Sequence, residues 1–82
     1  MAIQQILSPL PGTFYRKPAP DQAEFKAEGA DVAHGEVIGL IEVMKNFIEV
    51  KADLRGRIVR FFVNDGQEIM AGQPLVEIET GA

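Results

Sequence analysis

The sequence predicts an all-β fold, and three observations support this prediction. Apolar residues fall in short runs rich in β-branched and aromatic side chains, each bounded by Gly, Pro, Asn or Asp, as expected for strands joined by turns. Two stretches, 47–51 and 75–79, alternate at least in part between apolar and polar residues, which is typical of half-buried strands. The third observation is an internal repeat. The apolar runs are residues 3–7, 13–15, 37–43, 47–50, 58–63 and 75–78.

The repeat relates the two halves of the chain. Residues 29–42 and 66–79 share one pattern: Gly, two residues, Val or Ile, two residues, Gly, two residues, Ile or Leu, two residues, Ile-Glu. The offset is constant at 37 positions, from 29 to 66. Each half is too small to bury its own apolar face, so we expect two interleaved halves related by a pseudo-twofold axis.

The first half contains an insertion. Residues 12–15 match residues 56–59 at an offset of 44, seven more than the offset of 37 that applies from position 29 onward. The first half therefore contains seven extra residues between positions 15 and 29. We place them at about 16–24, where Pro18 and Pro20 fix φ and favour turns. An ordered, protruding loop is expected. The only window with helical character, 21–30, ends at Gly29 and allows at most one turn of helix.

Size and composition limit the possible functions. We interpret the 82 residues as one domain, 1–82, too small for a deep catalytic cleft. A net charge of −4 without a basic cluster argues against nucleic acid as a partner. No segment has the length of a membrane helix, and no targeting signal is evident. Since there is no Cys, there is no thiolate chemistry, and we expect a cytoplasmic protein.

Other side chains offer little chemistry. His34, the single histidine, falls in a repeat-related turn without a Cys or an acidic partner at ligand spacing, so we predict no metal site. Glu42, Glu77 and Glu79 alternate with apolar residues, which predicts solvated carboxylates rather than an acid–base pair. The candidate functional residue is therefore a lysine.

Lys45 lies at the junction between the two halves. The junction, Met44-Lys45-Asn46, is predicted to form a tight hairpin whose tip points away from the core. A lysine at such a tip is commonly a solubilising or edge-protecting residue. The midpoint position and the apolar Met44 beside it favour a more specific interpretation, in which Lys45 is a covalent attachment point.

The chain resembles the biotinyl domains of biotin-dependent carboxylases, relatives of lipoyl domains, over nearly its whole length. Residues 8–16, Ser-Pro-Leu-Pro-Gly-Thr-Phe-Tyr-Arg, are similar to the opening of bacterial acetyl-CoA carboxylase carriers. Residues 42–46, Glu-Val-Met-Lys-Asn, are similar to the biotin-acceptor motif Glu-Ala-Met-Lys-Met. The resemblance implies a flattened barrel-sandwich hybrid of two four-stranded sheets, with the lysine on an exposed hairpin and the 16–24 insertion as a protruding thumb.

The resemblance also implies a function. Biotin would be joined to Lys45 by a biotin protein ligase, with Met44 and Asn46 beside it in the cofactor-binding hairpin. The domain would be a non-catalytic carrier that shuttles a carboxyl group from biotin carboxylase to a carboxyltransferase. Its enzyme would be acetyl-CoA carboxylase or a related acyl-CoA carboxylase.

Two alternatives stay open at this point. Lipoyl domains usually have Asp-Lys-Ala at this hairpin, so Met44 favours biotin over lipoate. An unmodified barrel that acts as an adaptor subunit is the other alternative. Asn46, where the motif usually has a second Met, has two interpretations, a better turn residue that tolerates positive φ or a changed recognition surface. The thumb sequence at 16–20, Arg-Lys-Pro-Ala-Pro, also departs from the usual pattern.

Overall fold

The computed structural model describes residues 2–81, which form eight β-strands and no helix. The strands are β1 Ala2–Leu7, β2 Gly12–Tyr15, β3 Asp31–Val32, β4 Val37–Val43, β5 Asn46–Lys51, β6 Gly56–Phe61, β7 Gln67–Ile69 and β8 Pro74–Thr80. The predicted all-β fold is confirmed, and the window 21–30 contains bends and turns.

The strands form two antiparallel four-stranded sheets. The terminal sheet has the order β1-β8-β6-β3 and the hairpin sheet the order β5-β4-β2-β7. The molecule measures 39 × 27 × 19 Å, so the sandwich is flattened. Each sheet contains two strands from each half of the chain, and this arrangement interleaves the halves as the repeat predicted.

The pseudo-twofold relation extends to burial and hydrogen bonds. Buried and exposed positions follow the same order along β4 and β8, and again along β1 and β5. The N–H of Ser8 donates to the carbonyl of Gln73 at 2.8 Å, and the equivalent N–H of Ala52 donates to Glu36 at 2.9 Å. The offsets of 37 and 44 therefore describe a real symmetry of the backbone.

The core lies between the sheets. Its largest side chains come from the central strands β2, β4, β6 and β8, where most of the fully buried side chains are β-branched. The fully buried members are Phe14, Ile38, Ile41, Ile58, Leu75, Val76 and Ile78.

One pair of core positions departs from the symmetry by exchanging volume. Gly39 occupies the position equivalent to Val76, and Phe14 the position equivalent to Ile58. A Cβ on Gly39 would lie 2.5 Å from Cζ of Phe14, so the phenyl ring fills the space that a side chain would need. The large residue and the missing side chain are complementary.

The insertion between β2 and β3 is an ordered loop. Lys17 corresponds to Phe61 by the offset of 44 and Phe25 to Phe62 by the offset of 37, so the extra residues are 18–24, inside the predicted 16–24. We call residues 16–24 the thumb. The N–H of Phe25 donates to the carbonyl of Arg16 at 2.9 Å and closes the base of the loop.

Arg16 fixes the thumb from several sides. Its guanidinium lies 3.9 Å above the ring of Phe61 and pairs with Glu24 at 3.1 Å. Its backbone N–H donates to Oδ1 of Asp65 at 2.7 Å. Nε of Arg16 is buried and makes no hydrogen bond within the described chain, so stacking on the ring and the single ion pair hold this side chain.

The volume exchange predicts coupled mutations. Gly39→Ala should lower the free energy of unfolding by about 1–3 kcal/mol, because the added Cβ clashes with the Phe14 ring. Gly39→Val should be destabilising for the same reason. The double variant Phe14→Ile/Gly39→Val, which copies the Ile58 and Val76 pair, should recover part of the stability that Gly39→Val loses. Part should remain because the carbonyl oxygen of Tyr15 lies 2.9 Å from the new Cβ. Urea denaturation of both single variants and the double variant measures the coupling, and simple additivity would contradict the packing described.

The thumb deletion tests whether the loop belongs to the folding unit. Removing 18–24 joins Lys17 to Phe25 and copies the connection of Phe61 to Phe62 in the second half. The barrel should stay folded and lose no more than about 1 kcal/mol, since the deletion removes surface residues with one partly exposed ion pair and none of the buried core. Circular dichroism and thermal melting measure this, and global unfolding would show that the thumb supports the core.

Candidate functional site

The site is the turn between β4 and β5. Val43, the last residue of β4, pairs with Asn46, the first residue of β5, so the turn consists of Met44 and Lys45 alone. Both have positive φ, 50° for Met44 and 70° for Lys45. A two-residue hairpin with positive φ at both positions is the type I′ geometry, which matches the twist of the flanking strands.

These two residues adopt a conformation that their side chains disfavour. Among residues 2–81 they are the only non-glycine residues with positive φ. The left-handed region costs about 1–2 kcal/mol for each residue with a Cβ. The flanking strands impose it, because Ile41 of β4 and Val50 of β5 are anchored in the core and fix the register of the hairpin.

The side chains of the turn face solvent. Met44 is 90% exposed, and Lys45 is exposed and makes no ion pair within the part of the chain that the structure describes. A free primary amine at the tip of a rigid hairpin is accessible to another protein's active site. The predicted exposure of Lys45 at the junction is confirmed.

The position predicted for Asn46 is wrong. It is the first residue of β5 and pairs with Val43, so it lies outside the turn. The positive φ for which asparagine is suited falls on Met44 and Lys45 instead. The interpretation of Asn46 as a turn residue therefore fails, and a changed recognition surface beside Lys45 remains.

A groove opens beside the turn on the outer face of the hairpin sheet. Tyr15 and Phe47 form one wall, with ring centroids 6.2 Å apart and planes tilted by 51°, and Pro18–Pro20 of the thumb face them. Its volume is about 290 Å³. This groove was not predictable from sequence, because it depends on the cross-strand register that brings Phe47 opposite Glu42 and Tyr15 opposite Leu40.

Glu42 has a more specific place than sequence predicted. The hydroxyl of Tyr15 donates to its Oε1 at 3.1 Å, across the pair of strands β2 and β4. Because the phenol donates this bond to a carboxylate, the pKa of Tyr15 is raised above its usual value. Glu42 thus holds the Tyr15 ring against the groove, three residues before Lys45.

The equivalent face of the terminal sheet is different. Arg57 pairs with Glu79 at 3.0 Å and Arg60 with Glu77 at 3.7 Å, so ion pairs stand where the hairpin sheet has an aromatic groove. The backbone symmetry is kept while the surface chemistry has diverged.

His34 lies exposed in the turn between β3 and β4, as predicted. Across residues 2–81 no group of three or more His, Cys, Asp or Glu side chains is placed to hold a metal ion. Within the same range there is no helix long and apolar enough to cross a bilayer.

The fold and the site together define a class of protein: a flattened β-sandwich of two equivalent halves that presents one lysine on the turn joining them. The family model described as biotin-requiring enzyme matches residues 4–80, and the chain belongs to this family. The resemblance inferred from the two short motifs is confirmed.

Curated relatives show which kind of biotin-dependent protein the chain is similar to. The chain is 36% identical over 77 residues to the biotin carboxyl carrier protein of acetyl-CoA carboxylase from Nostoc sp., covering 94% of this chain and 42% of the relative. It is 39% identical over 75 residues to the protein of the same name from Pyropia yezoensis, covering 92% of this chain and 48% of the relative. The chain thus spans less than half the length of these relatives.

Solved structures agree on the fold. A single-chain, multi-domain long-chain acyl-CoA carboxylase superimposes with a TM-score of 0.80 and 28% identity, over 98% of this chain and 7% of that one. The urea carboxylase of Kluyveromyces lactis gives a TM-score of 0.77 at 24% identity, over 96% of this chain and 6% of that one, a likeness of fold alone.

The strained turn yields a stability prediction. Met44→Asn should raise the free energy of unfolding by up to about 1 kcal/mol, since asparagine tolerates positive φ better than methionine. Met70→Asn is the matched control, because Met70 is also exposed and has no positive φ, and its stability should not rise. Urea denaturation measures both variants. A loss of stability in Met44→Asn would contradict the assigned turn.

Proposed function

We propose that the chain is the biotin-bearing unit of a biotin carboxyl carrier, with biotin attached to Nζ of Lys45. The observation that carries the proposal is the exposed Lys45 on a two-residue turn in a chain of the biotin-requiring enzyme family. Relatives named as carriers of acetyl-CoA carboxylase support that enzyme, or a related acyl-CoA carboxylase, as the assembly.

The turn suits the attachment reaction. The neutral amine of Lys45 attacks the carboxyl carbon of biotin, activated with ATP, in the site of a biotin protein ligase. A C–N amide bond forms, the bond from that carbon to the activating group breaks, the activating group leaves with the electron pair, and the nitrogen releases one proton. Positive φ at Met44 and Lys45 makes the turn as tight as a hairpin allows, so Nζ extends beyond the sheet without obstruction. Met44 offers the ligase an apolar contact next to the amine.

The carrier role follows from tethering. Biotin, once attached, supplies a ureido nitrogen that carries a carboxyl group. The domain takes this group to the sites of biotin carboxylase and carboxyltransferase, where a tether raises its effective concentration. The chain's own residues then present and orient the biotinyl group, and the partner enzymes catalyse the two carboxyl-transfer reactions. The groove between Phe47 and the thumb offers an apolar wall close to the point of attachment.

A ligase assay tests the proposal. After incubation with biotin, ATP and a biotin protein ligase, the intact mass of the protein should rise by one biotinyl group. Lys45→Arg, which keeps the charge and removes the acceptor, should show no increase. Lys51→Arg is the matched control, since Lys51 is an exposed lysine of the same hairpin and its loss should leave the modification unchanged.

Charge provides a second readout. Conversion of one ammonium group to an amide changes the formal net charge from −4 to −5, so the product should focus at lower pH than the starting protein. A wild-type chain that stays unmodified would contradict the proposal and favour an adaptor role. Modification by a lipoyl ligase in place of the biotin ligase would assign the chain to the lipoyl carriers.

A further inference from the structure

The two outermost long strands of the sandwich are related by the pseudo-twofold axis, but only one of them is protected. β1 is the edge strand of the terminal sheet, and β5 is the edge strand of the hairpin sheet. An antiparallel edge directs the N–H and C=O of every second residue away from its neighbour, which is a template for another strand. Charged side chains are one common protection of such an edge.

β5 has this protection and β1 lacks it. At equivalent positions β5 has Glu49 and Lys51 where β1 has Gln5 and Leu7. β1 contains no charged residue and no proline. The bulge beside it lies in β8, where Leu75 is the extra residue between the partners of Ile6 and Leu7, so the free edge of β1 is continuous.

The outer side of β1 is also apolar. Ile3 is 53% exposed and Leu7 is 50% exposed, and with Gln5 they lie on one face of the strand because side chains alternate. Opposite them in β8 are Glu79, Glu77 and Pro74. In the part of the chain that the structure describes, β1 pairs with β8 alone.

We propose that β1 is a self-association edge, on which the β1 strand of a second copy of this chain adds antiparallel. With the twofold axis through Gln5, Ile3 of each copy lies opposite Leu7 of the other, and the two Gln5 side chains face each other. Outer side chains then meet outer side chains, as a twofold axis perpendicular to the sheet requires. The pattern apolar, Gln, apolar is complementary to itself in this register.

Electrostatics allow this pairing. No charges meet across the new strand pair. The nearest like charges in this register, the two Glu77 side chains, are separated by three strand spacings, or about 14 Å, beyond the screening length of physiological salt. Pairing through one six-residue strand buries less than a standard protein interface, so the dimer is weak.

The inference does not depend on the proposed cofactor. Met44 and Lys45 form the turn that joins two strands of the hairpin sheet, whereas β1 belongs to the terminal sheet. Lys45 of each copy in a dimer therefore stays outside the new strand pair, and association and modification can be measured separately.

A charge introduced at the axis tests the register. Wild type should show a weight-average mass that rises towards twice that of the monomer between about 10 μM and about 1 mM in sedimentation equilibrium. Gln5→Glu and Gln5→Lys, each alone, should weaken association about tenfold, because like charges then face each other across the axis. An equimolar mixture of the two variants should regain association, because Glu faces Lys.

The control is on the protected edge. Glu49→Lys keeps a charge at the position equivalent to Gln5, so β5 stays protected and association should be unchanged. Circular dichroism verifies that each variant is folded. Gln5→Lys provides the test even where the fold of Gln5→Glu is destabilised by repulsion from Glu77, which lies opposite position 5 in β8. A wild type that stays monomeric throughout the range, or association that neither variant weakens, would overturn the proposal.

Discussion

The structure depends on the interleaving of strands from two halves of the chain, each too small to bury its own apolar face. Each sheet takes two strands from each half. β4 is an internal strand of the hairpin sheet and β8 is an internal strand of the terminal sheet, and their apolar residues are buried between the sheets. The connection between the halves must then pass from β4 to its neighbour β5 over the shortest distance. A two-residue turn is the result, and this is why Met44 and Lys45 adopt positive φ.

Symmetry of the backbone leaves the surfaces free to differ. The hairpin sheet has a thumb, an aromatic groove and an exposed lysine on its side of the molecule, while the terminal sheet has ion pairs and an uncharged edge. The core shows the same freedom at Gly39 and Phe14, whose volumes are exchanged relative to the other half. In this chain the two halves therefore share one backbone frame and differ in the side chains that each adds to it.

Much of the fold and the position of the site were predictable, because the two halves have similar sequences. The offsets of 37 and 44 predicted the pseudo-twofold body, the insertion and the central place of Lys45, while the two four-stranded sheets were implied by the family resemblance. The turn at Asn46 was predicted wrongly, since strand pairing rather than residue preference decides which two residues bend. The Tyr15 and Glu42 contact was not predictable, because it depends on the register of β2 against β4. Cytoplasmic location stays a prediction.

The central claim is that the geometry of the turn, and not only the residues in it, presents Lys45. Insertion of one glycine between Lys45 and Asn46 tests it directly, since the run from Glu42 to Lys45 is unchanged and the lysine stays exposed while the type I′ turn is lost. The rate of ligase-catalysed biotinylation, measured on a variant shown to be folded, should fall at least about tenfold, equivalent to about 1.4 kcal/mol of activation free energy. Biotinylation at the wild-type rate would contradict the account.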